Sequence, residues 1–271
     1  MIRFLVLISY FGMTFYLHLT GKLNQYISMQ YSYLAYISMV LSLILTIVQL
    51  YLWFKKVKTH SHLATPLANV SSIALLSLPL IIGLTFPTVS LDSQTVSAKG
   101  YHFPLSDGTN LAIQASEGTR SQYLKPDTSS YFSKSTYEKE MRAAADTYLA
   151  QDQILITDEN YMEVMEAIYD YPSEFEGKTI QFTGFVYKDP IHENSQFLFR
   201  FGIIHCIADS GVYGLLTKGN TRQYENNTWI TAKGKLINYY HKELKQKLPT
   251  LEVESFTKVD KPENPYVYRA F

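Results

Sequence analysis

The sequence predicts a membrane-anchored α+β protein: three N-terminal transmembrane helices, then an extracellular α+β region ending in a five-stranded OB-like β-barrel. Apolar residues are concentrated in the first third of the 271 residues, and the remainder is polar and tyrosine-rich. Two stretches with apolar residues three and four apart come next, followed by short alternating stretches that glycines interrupt. The formal net charge is zero, so the chain lacks the broad basic field that a nucleic-acid partner requires.

Three apolar stretches predict transmembrane helices at residues 2–19, 33–54 and 67–86. Each is close to the roughly 20 residues needed to cross a hydrocarbon core of about 30 Å. Together they form a predicted membrane domain of residues 1–87. A signal peptide is the alternative for the first stretch, but His18-Leu-Thr-Gly-Lys22 after it makes a poor small-residue cleavage site. A retained first helix is therefore the prediction.

Lysines are concentrated in the loop between the second and third spans, at Lys55, Lys56 and Lys58. The loop between the first two spans has only Lys22, and Arg3 at the N-terminus agrees with the larger cluster. By the positive-inside rule, the N-terminus is predicted to lie on the inner side of the plasma membrane. The chain crosses this membrane several times, contacts its lipid, and places its C-terminal domain outside.

Residues 88–156 are predicted to form an extracellular connector with one helix near residues 136–150. A capping-box pattern that begins at Ser135 predicts the start of this helix. A second helix opens the predicted domain of residues 157–271. Its apolar residues recur at spacings of three and four, and Pro172 ends the pattern.

Five stretches of this domain have the composition and alternation of β-strands. They cover residues 178–187, 196–207, 211–216, 228–236 and 249–259. Gly184, Gly202 and Gly234 interrupt three of them, at points where the strands of a small barrel would bend sharply. Short strands with glycine breaks favour an OB-like barrel. Residues 261–268 are predicted to be an extended loop, because residues that precede proline disfavour helix.

Five segments, in order along nearly the whole chain, carry a resemblance to a known family. They are Gly21-Lys-Leu23, Pro87-Thr-Val-Ser-Leu-Asp-Ser93, residues 176–187, the block from Arg200 to Cys206-Ile-Ala-Asp209, and Pro262-Glu-Asn-Pro-Tyr266. By these segments the chain resembles the YcgQ-type family of bacterial permease subunits, which have a short membrane anchor and a C-terminal domain of unknown function. The resemblance implies a multi-spanning permease as partner and supplies no agreed substrate.

The chain departs from that family at two places. The family often has Cys-Cys before the Ala-Asp pair, and here the first of the two is His205. The family's second intracellular loop is often a long histidine tract, reduced here to His60 and His62. Both departures weaken the metal site that the resemblance would suggest. His60, His62 and Cys206 stay candidate ligands for a divalent metal such as zinc.

The candidate ligand-binding or partner-binding site is the block of Arg200, His205, Cys206 and Asp209. In an extended strand, residues 200 and 206 share one face and 205 and 209 the other. Three interpretations stay open. One is structural, with a buried thiol and Arg200 paired to Asp209 or another acid. The second is a metal or small-ligand site that a further residue such as His192 or His241 completes, and the third is a catalytic thiol.

Two functions from different classes fit these observations. The first is a non-catalytic accessory subunit of a membrane permease complex, with an extracellular OB-like domain that binds or gates substrate or partner. The alternative is a surface-displayed metal-binding protein, or a metal or thiol enzyme. The chain lacks H-E-x-x-H, C-x-x-C, G-x-S-x-G and Gly-rich phosphate loops, the usual marks of such enzymes. The first function is therefore favoured, and no catalytic residue is assigned.

Overall fold

The computed structural model of the chain describes residues 2–57, 65–85, 90–99, 134–188, 196–219, 223–241 and 246–269. The chain divides into two compact units, Met1–Val89 and Ser90–Phe271. In the described residues, the first unit contains three long apolar helices and the second contains a sheet with three further helices.

The long helices of the first unit are α1 (Ile2–Leu19), α2 (Ser32–Phe54) and α3 (Pro66–Thr85). Each is long and apolar enough to cross a membrane, so the three predicted spans are confirmed as apolar helices. α1 contacts both of the others. The Tyr10 hydroxyl donates a hydrogen bond to the Leu76 carbonyl of α3 at 2.8 Å. The His18 ring stacks on the Tyr36 ring of α2, with ring centres 4.1 Å apart.

The three helices bury very little against each other. No residue of α1 is buried, and α2 and α3 bury only Ser42, Thr46 and Leu80. Both buried hydroxyls donate to carbonyls of their own helix, Ser42 to Met39 at 2.8 Å and Thr46 to Ser42 at 2.7 Å. Helices that are apolar on every side are expected in lipid or against further membrane helices.

The helices of the second unit are α4 (Ser93–Lys99), α5 (Lys134–Leu149) and α6 (Tyr161–Asp170). The predicted helices near residues 136–150 and after Asp158 are confirmed, whereas α4 was not predicted. α6 buries eight of its ten residues and ends just before Pro172, as the sequence predicted. The stretch predicted as a connector, residues 88–156, thus contributes α4 and α5 to the second unit.

A seven-stranded mixed sheet forms the centre of the second unit. Its strands are β1 (Gln153–Leu155), β2 (Thr179–Lys188), β3 (Gln196–Ile203), β4 (Gly211–Lys218), β5 (Trp229–His241), β6 (Gln246–Lys258) and β7 (Tyr266–Tyr268). Their order is β1-β2-β5-β6-β4-β3-β7, with an additional pairing of β2 with β3. The five predicted strands are β2 to β6. The predicted number of five was wrong, because short strands are added at both ends of the sheet.

Strands β2 to β6 join in a partial ring. β2 pairs antiparallel with β3 and β5, β3 with β4, and β5 with β6, while β4 pairs parallel with β6. Two of these pairings are short, since β2 and β3 pair over four residues each and β4 and β6 over three. Further along β3, β7 replaces β2 as the neighbour, from Phe201 to Ile203. The structure therefore shows a seven-stranded mixed sheet with a partial ring, and the closed five-stranded barrel stays a prediction. The predicted loop at residues 261–268 contains the strand β7.

Two clusters of buried side chains lie on opposite faces of the sheet, towards which successive residues of a strand point in turn. On one face, side chains such as Ile180, Phe182 and Leu198 pack with the apolar residues of α6. The opposite face carries what we call the aromatic cluster. Its buried members are Val96, Phe185, Tyr187, Phe197, Phe199, Phe201, Ile203, Val212, Leu216, Trp229 and Tyr266.

Two glycines lie where neighbouring backbones come closest. At Gly234 the register of β5 against β6 shifts, and a Cβ there would lie 2.1 Å from the Glu252 carbonyl oxygen. A Cβ at Gly214 would lie 1.8 Å from the Leu198 carbonyl oxygen. The register shift at Gly234 is a bulge that admits no side chain, whereas the sharp bends predicted at the three glycines stay a prediction.

Candidate functional site

Arg200 lies on β3 with its side chain 1% exposed. The guanidinium forms an ion pair with Asp158, in the turn before α6. It also donates to the backbone carbonyls of Asn264 at 3.2 Å, Pro265 at 3.4 Å and Tyr266 at 3.4 Å. A buried guanidinium needs several acceptors, and these groups supply them. Arg200 is therefore paired with an acid other than Asp209.

The position of Arg200 explains what these contacts do. It stands on β3 between the part that pairs with β2 and the part that pairs with β7. Its guanidinium carbon lies 5.7 Å from the Tyr161 ring centre and 5.5 Å from that of Trp229, where ring faces attract a cation. The hydrogen bonds to residues 264–266 hold the last strand beside β3. Arg200 is an anchor of the fold.

His205, Cys206 and Asp209 lie together in a turn after β3, which we call the Asp209 turn (residues 204–210). The Asp209 carboxylate accepts hydrogen bonds from the backbone N–H groups of His205 and Cys206, both at 3.0 Å. Its other contact is with Nδ1 of the His205 ring at 2.7 Å. The turn ends in the short 3-10 helix Ile207–Asp209.

The predicted strand at residues 196–207 ends earlier, at Ile203. The alternation that assigned His205 and Cys206 to opposite faces of a strand therefore does not apply to them. The physical cause is Asp209, whose carboxylate takes up the N–H groups that a continuing strand would have offered to a neighbour.

The Asp209 turn displays an oriented imidazole. The His205 side chain is 50% exposed and the Asp209 side chain 34%. A carboxylate that accepts from Nδ1 selects the tautomer with its proton on Nδ1 and fixes the direction of the ring. Such a ring suits hydrogen bonding or ligation in a defined direction. A nucleophilic thiol would need the Nε2 atom of the imidazole as its base, since Nδ1 is hydrogen-bonded to Asp209. A catalytic thiol stays a prediction.

By burial, the four predicted residues fall into two sets. Arg200 is enclosed in the interior with Asp158 and the C-terminal carbonyls, and the other three form a surface turn. Within the described parts of the chain, no group of three or more His, Cys, Asp and Glu side chains could hold a metal ion. His60, His62 and His192 lie outside the described residues. Zinc binding stays a prediction.

Sequence reasoning missed a second polar group in the interior. Glu166 of α6 and Arg269, after β7, form an ion pair at 2.5 Å with side chains 6% and 5% exposed. The Tyr137 hydroxyl of α5 donates to Asp170 at 3.2 Å, and its ring lies 5.8 Å from the Arg269 guanidinium carbon. Burial and the two carboxylates raise the pKa of Tyr137, so its hydroxyl stays a donor. The available signal was Glu166, an acid within the apolar pattern of α6.

Two family models match the chain: the DUF1980 N-terminal domain over residues 2–102 and the DUF1980 C-terminal domain over residues 131–269. The chain is 58% identical over 271 residues to a protein of Streptococcus mutans named "Putative two-component membrane permease complex subunit". It is 38% identical over 291 residues to a protein of Bacillus subtilis named "UPF0703 protein YcgQ". Both alignments cover 100% of this chain and 100% of the relative.

Proposed function

The chain belongs to the DUF1980 family, as its resemblance to the YcgQ-type proteins predicted, and on this premise we propose that it is a non-catalytic subunit of a bacterial membrane permease complex. The helices α1 to α3 anchor it in the plasma membrane beside a multi-spanning permease. The name of the Streptococcus mutans relative, which describes a subunit of this kind, supports the proposal.

The observation that carries the proposal is the exposed apolar surface of α1, α2 and α3. Three helices that bury only three residues among themselves do not enclose a pathway for a solute. Their sequences contain no Asp or Glu, the usual elements of an ion or proton pathway. A partner with more spans supplies the pathway, and the serines and glycines among the apolar residues allow its helices to approach closely.

The sheet domain is proposed to lie outside the cell and to have an OB-like architecture. The pairings of β2 to β6 support the architecture, since they link the five strands in a partial ring, and OB folds are small, partly open five-stranded barrels. The lysines before α3 support the orientation. On this outer domain, the Asp209 turn offers His205 to a substrate or to the permease.

Topology is tested by cysteine labelling in intact cells on a Cys206→Ser background. Gln94 and Lys56 are both exposed, so a cysteine at either position is reachable from its own side. An impermeant thiol reagent should label Gln94→Cys in intact cells and Lys56→Cys only after lysis. The reverse pattern would overturn the proposed orientation.

The subunit role is tested by capture from native membranes with mild detergent. An affinity-tagged full-length chain should co-purify with a multi-spanning membrane protein in a fixed ratio. Metal analysis of the same sample tests the alternative metal-binding function. If the chain purifies alone and by itself moves a solute into liposomes, the subunit proposal fails.

The role of the Asp209 turn is tested by His205→Ala in the captured complex. The variant should keep the thermal stability of the chain, because the His205 side chain is half exposed, and should weaken capture of the partner or transport by it. Tyr240→Ala is the matched control, since it removes another ring that is 52% exposed. If His205→Ala and Tyr240→Ala reduce capture and transport equally, the proposed role of the Asp209 turn is refuted.

A further inference from the structure

The outer ends of β5 and β6 form what we call the basic arm, residues 233–241 and 246–247. The pairing of β2 with β5 ends at Lys235, and the pairing of β4 with β6 begins at Thr250. In the described part of the sheet, the last four residues of β5 therefore pair with β6 alone. The end of the arm thus extends past the strands on either side of it.

The basic arm differs in charge from the unit that carries it. The second unit contains 24 acidic and 19 basic residues. The arm contains Lys233, Lys235 and Lys247 and no acidic residue, and the four residues between its two strands add two lysines and one glutamate. A positive arm on a unit of net negative charge produces a local field that attracts an anionic partner.

Lysines lie on both faces of the arm. Lys247 is opposite Tyr240 in register, so these two side chains share a face, and both are exposed. Tyr239 points to the other face, where Nζ of Lys218, from β4, lies 3.7 Å from the centre of the Tyr239 ring. Lys218 is exposed as well, so this cation–π contact holds an ammonium group at the surface of the arm.

The composition of the arm favours a lipid surface over a protein partner. Glu252 pairs in register with Lys218 on one side and with Lys235 on the other, so two lysines flank one carboxylate and the positive charge prevails. No arginine lies on the arm. Lysine is depleted in the cores of protein–protein interfaces, whereas its long flexible stem lets the ammonium group follow a layer of headgroups.

We propose that the basic arm docks on an anionic phospholipid surface, in the membrane that α1 to α3 cross. Because the same chain carries these helices, the arm meets lipid at a high effective concentration. The attraction acts through the negative surface potential of the membrane and falls off over about 8–10 Å in physiological salt. The proposal requires the membrane anchor and no permease, so it goes beyond the proposed function.

Docking is tested with the full-length chain in lipid nanodiscs on a Cys206→Ser background. A fluorophore on Tyr240→Cys reports the position of the arm without changing its charge, since Tyr240 is neutral and 52% exposed. Nitroxide-labelled lipid should quench this fluorophore in discs that contain phosphatidylglycerol and much less in discs of phosphatidylcholine alone. Added salt should weaken the quenching. Ser255→Cys is the control position, because Ser255 is exposed and lies about 26 Å along β6 from Lys247.

The role of the lysines is tested by removing one charge from each face, with Lys218→Gln and Lys247→Gln together. The docking constant, measured by titrating the phosphatidylglycerol fraction of the discs, should fall about 30-fold. Lys139→Gln with Lys258→Gln is the charge-matched control, since both lysines are exposed and lie outside the arm. This pair should lower the constant by less than about threefold, because screening weakens distant charges.

Equal quenching in the two kinds of disc, or an equal loss in the two pairs of variants, would overturn the proposal. The proposal also fails if Tyr240→Cys stays unquenched in phosphatidylglycerol discs but is protected from a thiol reagent in the complex captured from native membranes. That result would assign the arm to an acidic protein surface. The disc measurements involve no partner protein, so a failed capture would refute the subunit role and leave the docking of the arm in place.

Discussion

Replacing Arg200 with alanine should destabilise the second unit severely. The side chain is 1% exposed, and the three backbone carbonyls of residues 264–266 accept hydrogen bonds from it. Its ion-pair partner Asp158 is 60% exposed, so water can replace the lost guanidinium there. We therefore expect the loss of stability to be concentrated in the pairing of β7 with β3.

The size of the effect follows from the lost contacts. Hydrogen bonds from a charged donor contribute about 1.5–3 kcal/mol each, and the two bonds at 3.4 Å are long and count for less. Contact with the Tyr161 and Trp229 rings adds about 0.5–2 kcal/mol. Together these predict a loss of about 3–5 kcal/mol. At an m-value of about 2 kcal/mol per molar urea, the midpoint falls by about 2 M.

Urea unfolding of the full-length protein in detergent measures this loss. The chain has two tryptophans, so a Trp53→Phe background leaves Trp229, next to Arg200, as the reporter. Arg200→Lys should lose about half as much, because one ammonium cannot serve Asp158 and the carbonyls together. In double-mutant cycles, substitutions of Arg200 and Asp158 should show an interaction energy. The free-energy changes of substitutions at Arg200 and Asp209 should instead be additive within about 0.5 kcal/mol.

Two outcomes would refute this reasoning. A midpoint for Arg200→Ala equal to that of the starting protein would show that the buried guanidinium anchors nothing. Strong coupling of Arg200 to Asp209 would show that the two residues form the joint site that their closeness in sequence suggested.

Three further predictions concern the same unit. Gly234→Ala should lower the free energy of unfolding by about 1–3 kcal/mol, since its Cβ would lie 2.1 Å from the Glu252 carbonyl oxygen. Lys233→Ala, one residue away, is the control in the same urea titration. Arg269→Met should lower the free energy of unfolding by about 3–5 kcal/mol, because it leaves Glu166 buried without its ion-pair partner. The double substitution Glu166→Leu with Arg269→Met should lower it much less. Hydrogen bonds from Arg142 lower the pKa of Asp146 and of Glu174 in the folded protein. The stabilisation that these two carboxylates give the fold is therefore complete above their unfolded pKa values and is lost as pH falls through the lower folded values. Between pH 7 and pH 3, the urea midpoint of Arg142→Gln should fall less than that of the starting protein.

The elements that the sequence predicted well are those with a long local pattern. The three spans and β2 to β6 each carry many residues of one periodicity, and the predicted ends of the spans differ from the observed ends by one residue or less. β1 and β7 have three residues each, too few to show alternation. They exist because β2 and β3 offer backbone groups that need partners, which only the assembled sheet reveals.

The ion-pair partner of Arg200 could not be predicted from closeness in sequence. Arg200 and Asp209 are nine residues apart, yet Arg200 pairs with Asp158, 42 residues earlier. The ion pair of Glu166 with Arg269 joins residues 103 apart. Long-range pairs of this kind leave only a weak signal in the sequence, a charged residue at a position that the apolar pattern assigns to the interior.

That signal was nevertheless present for Arg200, and it changes where a functional surface should be sought. Arg200 shares its strand face with Leu198, which packs in the interior with α6, while Phe199 and Phe201 lie in the aromatic cluster on the other face. All eight residues of β3 are buried, so neither face of this strand can meet a ligand directly. The first exposed side chain after the strand is that of His205, held by Asp209. A partner or substrate that approaches this part of the chain therefore meets the Asp209 turn, and a search for its binding residues should begin there and not on the strand.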